Sequence, residues 1–363
     1  DVELNLDDTK RVFVFFGSNG VGKTKTLEAL ALFNFAKVYD INSYEFQIRL
    51  IPVKNIFASS ITVGKETINL IKLITNGQIQ AHRIFSQTLE KAILATVFIG
   101  AGNRIKINAD SNSHELESYK TTLNKQELIN IIYESTTNGS YINLSMDNHI
   151  HKWFLERAKS VNPYQKEEDN RKVDIDTVLN ALHILDSRIE KTLKIDGDGN
   201  VFLTIEGQER ELSELSSGFI SVVKIIQSII SAYSAFTNAT DLLNVKGVVL
   251  IDEIESHLHV EWQTKIVPTL KNLFPNTTFY IATHSPLVLS QLAEGEAYLL
   301  KRDNDNVVRS EKINSPNTRL LANVLQDTFG VDLNTLKRDN MANIDQSQAK
   351  QRLLDLLNSE AQP

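Results

Sequence analysis

Apolar and polar positions divide the chain into stretches that read clearly and one that does not. Val12-Phe13-Val14-Phe15-Phe16 is an unbroken β-branched and aromatic run, the pattern of a strand covered on both faces. A glycine-rich polar segment follows. Leu27, Leu30 and Phe33 then recur at helical spacing within Lys23 through Phe35. Tyr44 to Val53 alternates and predicts a second strand. From Ser59 to Lys191 the signal weakens. Helical patterns at Lys125–Tyr133 and Val173–Thr192 alternate there with polar stretches, including Asp110–Glu117 and the charged run Lys166–Arg171. The pattern sharpens again at Leu193–Glu209, where Lys194-Ile195 and Val201–Ile205 flank an Asp-Gly-Asp-Gly-Asn turn and predict a hairpin. An amphipathic helix with Phe219, Val222, Val223, Ile226, Ile230 and Tyr233 on one face comes next. Gly247–Ile251 and Thr278–Ala282 are two further strands, and a helical pattern at Gln348–Leu357 closes the chain. Strands alternating with helices predict an α/β fold with a largely parallel sheet, whose ligand sits at the carboxyl ends of the strands.

Polar motifs fall at those strand ends. Gly17-Ser18-Asn19-Gly20-Val21-Gly22-Lys23-Thr24 is a complete GxxxxGK[ST] loop between a strand and a helix. Such glycines let consecutive backbone N–H groups curl around a polyphosphate at a helix N-terminus. Lys23 is placed to reach the β- and γ-phosphates of ATP, and Thr24 to hold Mg²⁺. Thr26, one turn on, is counted with the nucleotide-binding set. Asp252 and Glu253 emerge from the buried strand at 247–251. Asp252 is expected to complete the Mg²⁺ shell and Glu253 to polarise the attacking water. His284 ends the next strand, in Thr283-His284-Ser285-Pro286, with a nucleotide-sensing role expected. Ser216, Ser217 and Gly218 open the amphipathic helix. A hydroxyl there suits either an N-cap or a γ-phosphate presented by another molecule.

Composition narrows the picture modestly. At 363 residues and net charge −7, the chain has ample mass for a core and no global basic field advertising nucleic acid. It has no cysteine, which excludes disulfides, thiolate metal sites and thiol catalysis. Apolar stretches such as Ala92–Ala101 fall short of the roughly 20 residues that span a bilayer. With no secretory pattern at its start, the expectation is a soluble cytoplasmic protein without membrane contact, begun inside a longer one or after processing. The alternating pairs His149/His151 and His257/His259 lack a third ligand at a recognised spacing and read as structural or surface residues. Lys301-Arg302 and Lys337-Arg338 read as solvated.

The order of loop, Leu215-Ser216-Ser217-Gly218, apolar-Asp252-Glu253 and strand-His284 resembles the ABC-type ATPases, most closely their soluble SMC, RecF and OLD-like heads. Asn19-Gly20 is similar to that class's form of the loop. The resemblance implies an ABC-type ATPase head with a mainly parallel central sheet, an antiparallel β subdomain and a largely helical insertion. It divides the chain into a head half at 1–58, an insertion at 59–191, a second head half at 192–300 and a C-terminal extension at 301–363. By resemblance, 215–219 is the signature sequence, Asp252 and Glu253 the Walker B pair, His284 the switch histidine and Ser256-His257-Leu258-His259 the D-loop. Phe219 departs from the usual Gln and His259 from the usual Asp. Gln47 is the candidate for the Q-loop. The segment Asp252–Pro286 is similar to the ATPases of Septu and retron-associated anti-phage systems. That implies two heads sandwiching two ATP molecules, Ser216 and Gly218 of one meeting the nucleotide on Lys23 of the other. It also implies a separate nuclease or toxin subunit as effector, and sensing of nucleic acid. A DNA-repair ATPase, a transporter subunit, a nuclease and a nucleotide-gated scaffold with little turnover remain alternatives. The nuclease reading finds no paired-carboxylate motif among Asp303, Asp305, Asp327, Asp332 and Asp339.

Overall fold

The computed structural model describes residues 2–37, 61–63, 66–68, 95–100, 150–161, 163–164, 170–237 and 239–318, with 323, 326, 332, 335, 338 and 351 as isolated positions. The expected strand at 44–53 with Gln47, the helix at 125–133 and most of 348–357 lie outside the described residues. The chain divides into two compact units, 1–317 and 318–363. The first carries the central sheet and every strand that bears a polar motif.

The strands are β1 (Val2–Glu3), β2 (Val12–Phe16), β3 (Ile61–Val63), β4 (Glu66–Ile68), β5 (Ala95–Ile99), β6 (Ile189–Ile195), β7 (Val201–Ile205), β8 (Gln208–Glu211), β9 (Gly247–Ile251), β10 (Thr277–Ala282), β11 (Ala297–Arg302) and β12 (Val308–Lys312). The α-helices are α1 (Lys23–Lys37), α2 (Ile150–Lys159), α3 (Lys172–Leu185), α4 (Ser217–Phe236), α5 (Val260–Gln263), α6 (Ile266–Leu273) and α7 (Pro286–Leu289). A seven-stranded sheet runs in the order β1-β12-β11-β2-β10-β9-β5. Only the β11–β12 pair in it is antiparallel. The fold is α/β, with the largely parallel sheet the strand–helix alternation predicts.

Every residue of β2, β5 and β9 is buried, because both faces of the sheet are covered. Phe13, Phe15, Val248, Leu250 and Phe98 pack on one face with Leu27, Leu30 and Ala31 of α1. Alternate residues such as Val12, Val14 and Phe16 point the other way. Tyr233 of α4 shares a 2.6 Å hydrogen bond with Thr277 Oγ1 and meets Phe274 edge-on at 6.1 Å. The β9 strand starts at glycine for a steric reason: a Cβ on Gly247 would lie 2.5 Å from the Tyr233 hydroxyl. Gly247→Ala is therefore expected to destabilise the chain by about 1–3 kcal/mol through overpacking, read as a lowered denaturation midpoint.

Among described helices, α4 alone is long and apolar enough to cross a membrane, contrary to the expectation that every apolar stretch falls short of that length. Here it is mostly buried, with residues such as Val222, Ile226 and Ile230 fully covered.

The expected hairpin forms and gains a third strand, giving the antiparallel sheet β6-β7-β8. The helix expected over 173–192 ends at Leu185. Asp186 leaves helical geometry (φ −144°, ψ 107°) and its carboxylate accepts from the Arg188 backbone N–H at 3.0 Å. That turn sends 189–195 into β6. The described part of 59–191 contains both strands and helices. It holds β3, β4 and β5 beside α2 and α3, and β5 belongs to the central sheet, in register with β9 from Ala95↔Gly247 to Ile99↔Ile251. The sheet also continues past residue 300, since β12 pairs with β11 from Tyr298↔Lys312 to Arg302↔Val308.

Helices α2, α3 and α4 are pinned by a buried ionic cluster. Asp174, fully buried, lies 2.9 Å from Arg157 Nε and 2.9 Å from Arg171 Nη2. Ser234 Oγ donates to the same carboxylate at 2.7 Å and accepts from Arg171. The Arg157 guanidinium also lies over the Trp153 ring, 5.6 Å from its centroid.

Candidate active site

The glycine loop turns tightly between β2 and α1. Gly17, Gly20 and Gly22 have φ of 152°, 77° and 114°, and at Gly17 a Cβ would meet Leu300 O and Val21 Cγ1, each at 2.9 Å. Ser18, Asn19 and Gly20 are exposed at the tip, and Val21 is buried beneath it. Lys23 is buried and its Nζ donates to Gly17 O at 2.8 Å and Ser18 O at 3.0 Å. Burial holds its ammonium below the ordinary lysine pKa, while Asp252, Glu255 and Glu253 pull it back up. A bound polyphosphate would add negative charge at the same place.

Thr24 Oγ1 donates to Asp252 Oδ2 at 2.7 Å, joining residues 228 apart in sequence. The loop's hydroxyl and the acidic strand's carboxylate are thus side by side, two hard oxygen donors of the kind Mg²⁺ takes. Thr26 was expected in the nucleotide-binding set. It is fully buried and its hydroxyl donates to Gly22 O at 3.0 Å, inside the first turn of α1. Glu28, on the same helix, is also buried, which raises its carboxyl pKa.

β10 lies between the loop strand β2 and the acidic strand β9, so its end projects between the two polar motifs. Backbone bonds tie the three ends together: Thr283 N–H donates to Phe15 O at 3.1 Å, Ile254 N–H to Ala282 O at 3.2 Å and Asp252 N–H to Ile99 O at 2.8 Å. Glu253 takes a left-handed conformation, φ 46°, and its carboxylate accepts from Ser256 Oγ at 2.9 Å. His284 is half-buried and donates its backbone N–H to Glu255 Oε1 at 2.6 Å.

Three residues here escaped the sequence reading of the site. Glu255 also accepts from Thr283 Oγ1 at 2.5 Å. Gln263 accepts from Ser285 Oγ at 2.7 Å and donates to Leu258 O at 2.9 Å, linking the turn after β10 to the stretch after Asp252-Glu253. Arg302, read as solvated, donates to the loop carbonyl of Val21 at 3.2 Å. The only sequence signal for the first two was their place within the resemblance-bearing segment 252–286.

Ser216 caps α4, its Oγ accepting from Phe219 N–H at 3.3 Å, and Ser216 and Ser217 are exposed. Gly218 faces the 256–259 turn: a Cβ there would come 3.1 Å from His257 O and 3.2 Å from His259 N. A side chain there would press on this turn within the chain. His257 is left-handed, φ 67°, and His259 caps α5. Of the C-terminal aspartates, Asp303 and Asp305 pair with Arg309 at 2.6 and 2.9 Å. Asp327 and Asp339 lie outside the described residues, as do His149 and Lys337.

A family model described as "AAA domain, putative AbiEii toxin, Type IV TA system" matches residues 12–290, well over half of the chain. The Retron Vc95 probable ATPase of Vibrio cholerae serotype O1 biovar El Tor is 22% identical, the match covering 80% of this chain and 69% of that one. The Septu protein PtuA of Bacillus thuringiensis is 25% identical over 54% of this chain, and that of Bacillus mycoides strain KBAB4 34% identical over 32%. The chain spans 52% and 16% of the lengths of these two PtuA relatives. Among solved structures, the Smc head domain bound to the C-terminal domain of ScpA derived from Pyrococcus furiosus matches with TM-score 0.42 at 10% identity, covering 84% of this chain and 91% of that one. With the glycine loop, the acidic strand and the strand ending at His284 all inside the matched span, the chain belongs to this family of AAA-domain ATPases, and it is similar to the retron probable ATPase and the Septu PtuA proteins.

Proposed function

We propose that this chain binds ATP with Mg²⁺ and hydrolyses it, and that two copies close head to tail around two ATP molecules to gate an anti-phage effector. The observation that carries the hydrolysis reading is the 2.7 Å bond between Thr24 and Asp252. It supports that reading by bringing together two oxygen donors suited to Mg²⁺, beside a lysine in a glycine loop and a carboxylate, Glu253, one residue on. Mg²⁺ held by Thr24 and Asp252 would supply charge neutralisation at the phosphates. Lys23 holds the phosphates, Glu253 orients the attacking water and accepts its proton, and His284 stands at the γ-phosphate end from the middle strand. Asn19, Gly20 and Gly22 offer their backbone N–H groups around the phosphates, while Val21 N–H donates to Ser18 O at 3.3 Å within the loop.

The dimer reading draws on the exposed Ser216 and Ser217 at the N-terminus of a 20-residue helix, where the partial positive charge suits a partner's γ-phosphate. The defence role and a separate nuclease or toxin effector draw on the relatives' retron and Septu names and on the toxin wording of the family description. Light scattering of Glu253→Gln protein tests the dimer. The mass is expected to double from 40.9 kDa with ATP and Mg²⁺, and to keep its single-copy value without ATP or when Lys23→Ala or Ser216→Ala is added. A single-copy mass in the presence of demonstrably bound ATP would remove the sandwich and leave the ATPase reading standing.

A further inference from the structure

We propose that Glu255 is a positioning residue for hydrolysis, setting the place of His284 through two bonds to the switch turn. The geometry behind this is a lock between two loops that both end at the candidate active site. One Glu255 oxygen accepts from the Thr283 hydroxyl at 2.5 Å and the other from the His284 backbone N–H at 2.6 Å. Thr283 is fully buried, its N–H is held by Phe15 O at the mouth of the glycine loop, and its hydroxyl also accepts from Ser285 N–H at 3.0 Å. The Glu255 carboxylate therefore sits at the junction of all three polar motifs, two residues from Glu253 and felt electrostatically by Lys23.

The two glutamates divide the work of one short turn. Glu253, in its left-handed conformation, is held by Ser256. Glu255 points its carboxylate at the next strand's end, and the Ile254 N–H bond to Ala282 O between them keeps turn and strand in register. A carboxylate with two acceptor oxygens matches the two donors at 283 and 284, and charge-assisted bonds of this kind are the stronger class. Without it the His284 backbone N–H loses its partner and the turn loses its fixed distance from Asp252-Glu253. A shift of about 1 Å in a group that contacts the reacting phosphate can lower the rate about a hundredfold.

This inference rests on the hydrolysis reading, and the test separates the two. Turnover and ATP affinity are measured for Glu255→Ala, Glu255→Gln, His284→Ala and the Glu255→Ala/His284→Ala pair. In protein carrying ¹³C-labelled histidine, the nucleotide-free His284 ring resonance is assigned as the signal missing in His284→Ala. Glu255→Ala is expected to lower kcat about 10–100-fold while the ATP Kd moves less than about threefold, and to shift the His284 resonance. The double variant is expected to be no slower than His284→Ala alone, because Glu255 acts through that residue. Glu255→Gln is expected to recover kcat to within about threefold, its oxygen accepting from the His284 N–H and its amide donating to Thr283 Oγ1. If Glu255→Ala unfolds, Glu255→Asp, which keeps the charge but shortens the reach to Thr283 and His284, is measured in its place, with a lowered kcat and a shifted His284 resonance expected. Additive losses in the double variant, or a His284 resonance unmoved by Glu255→Ala, would overturn the positioning role. The resonance is read without ATP, so it decides this role even if wild-type turnover is nil, a result that would instead sink the hydrolysis reading.

Discussion

Glu253→Gln is expected to retain ATP and turn it over about a thousandfold more slowly than the native chain, an increase of on the order of 4 kcal/mol in the barrier. The amide keeps the size of the carboxylate, one oxygen for the Ser256 hydroxyl and the same Cβ in the same left-handed backbone, so the turn has no reason to rearrange. It loses the negative charge and the capacity to take a proton from water. Lys23, Thr24 and Asp252 are untouched, which is why binding survives. A non-glycine residue at φ 46° costs on the order of 1–3 kcal/mol, and such strain persists where the surroundings hold it, commonly at functional sites. Single-turnover hydrolysis beside calorimetric ATP titration separates the two effects. Normal turnover in this variant would remove Glu253 from its catalytic place.

The second large effect lies away from the strand ends. Asp174→Asn is expected to destabilise the chain by about 3–5 kcal/mol, because it leaves Arg157 and Arg171 in a buried cluster without their shared carboxylate. Burial already holds the Arg157 guanidinium below its ordinary pKa, with Asp174 opposing that loss. Replacing the charged set by apolar residues of similar volume is expected to cost far less than removing the aspartate alone. Urea unfolding of the single variant and of an Arg157→Met/Arg171→Met/Asp174→Leu triple variant checks this. A single variant as stable as the native chain would mean that solvent reaches the cluster.

What could be read from the sequence was what is local. The loop strand, the acidic strand and the switch strand each join an apolar run to a polar motif within about a dozen residues, so element and chemistry were legible together. Ala95–Ile99 has the same apolar run but no motif beside it, and only its pairing with Gly247–Ile251 makes it a strand of the central sheet. Val173–Thr192 carries helical spacing past the point where Asp186 turns the chain, since periodicity does not register a side chain capturing the backbone N–H of Arg188. Glu255 and Arg302 look like ordinary surface charges until the switch turn and the glycine loop are folded against them. The Arg157–Arg171–Asp174–Ser234 cluster was hidden for a related reason. Its members are polar residues that sequence logic assigns to solvent, and only three packed helices bury them together.

The order of strands in the sheet has a consequence for how a ribosome must deliver this chain. β2 has β10 and β11 as its neighbours, both far later in the chain, with Val12 beside Phe279 and Phe16 beside Leu299. At about 5–20 residues per second, those partners follow the loop strand by tens of seconds. Until then a run of five apolar residues waits with both edges unpaired, whereas β9 can meet β5 earlier. Such long-range pairing makes folding slow and leaves sticky intermediates exposed. The nucleotide loop at the end of β2 therefore matures only after nearly the whole head has been made.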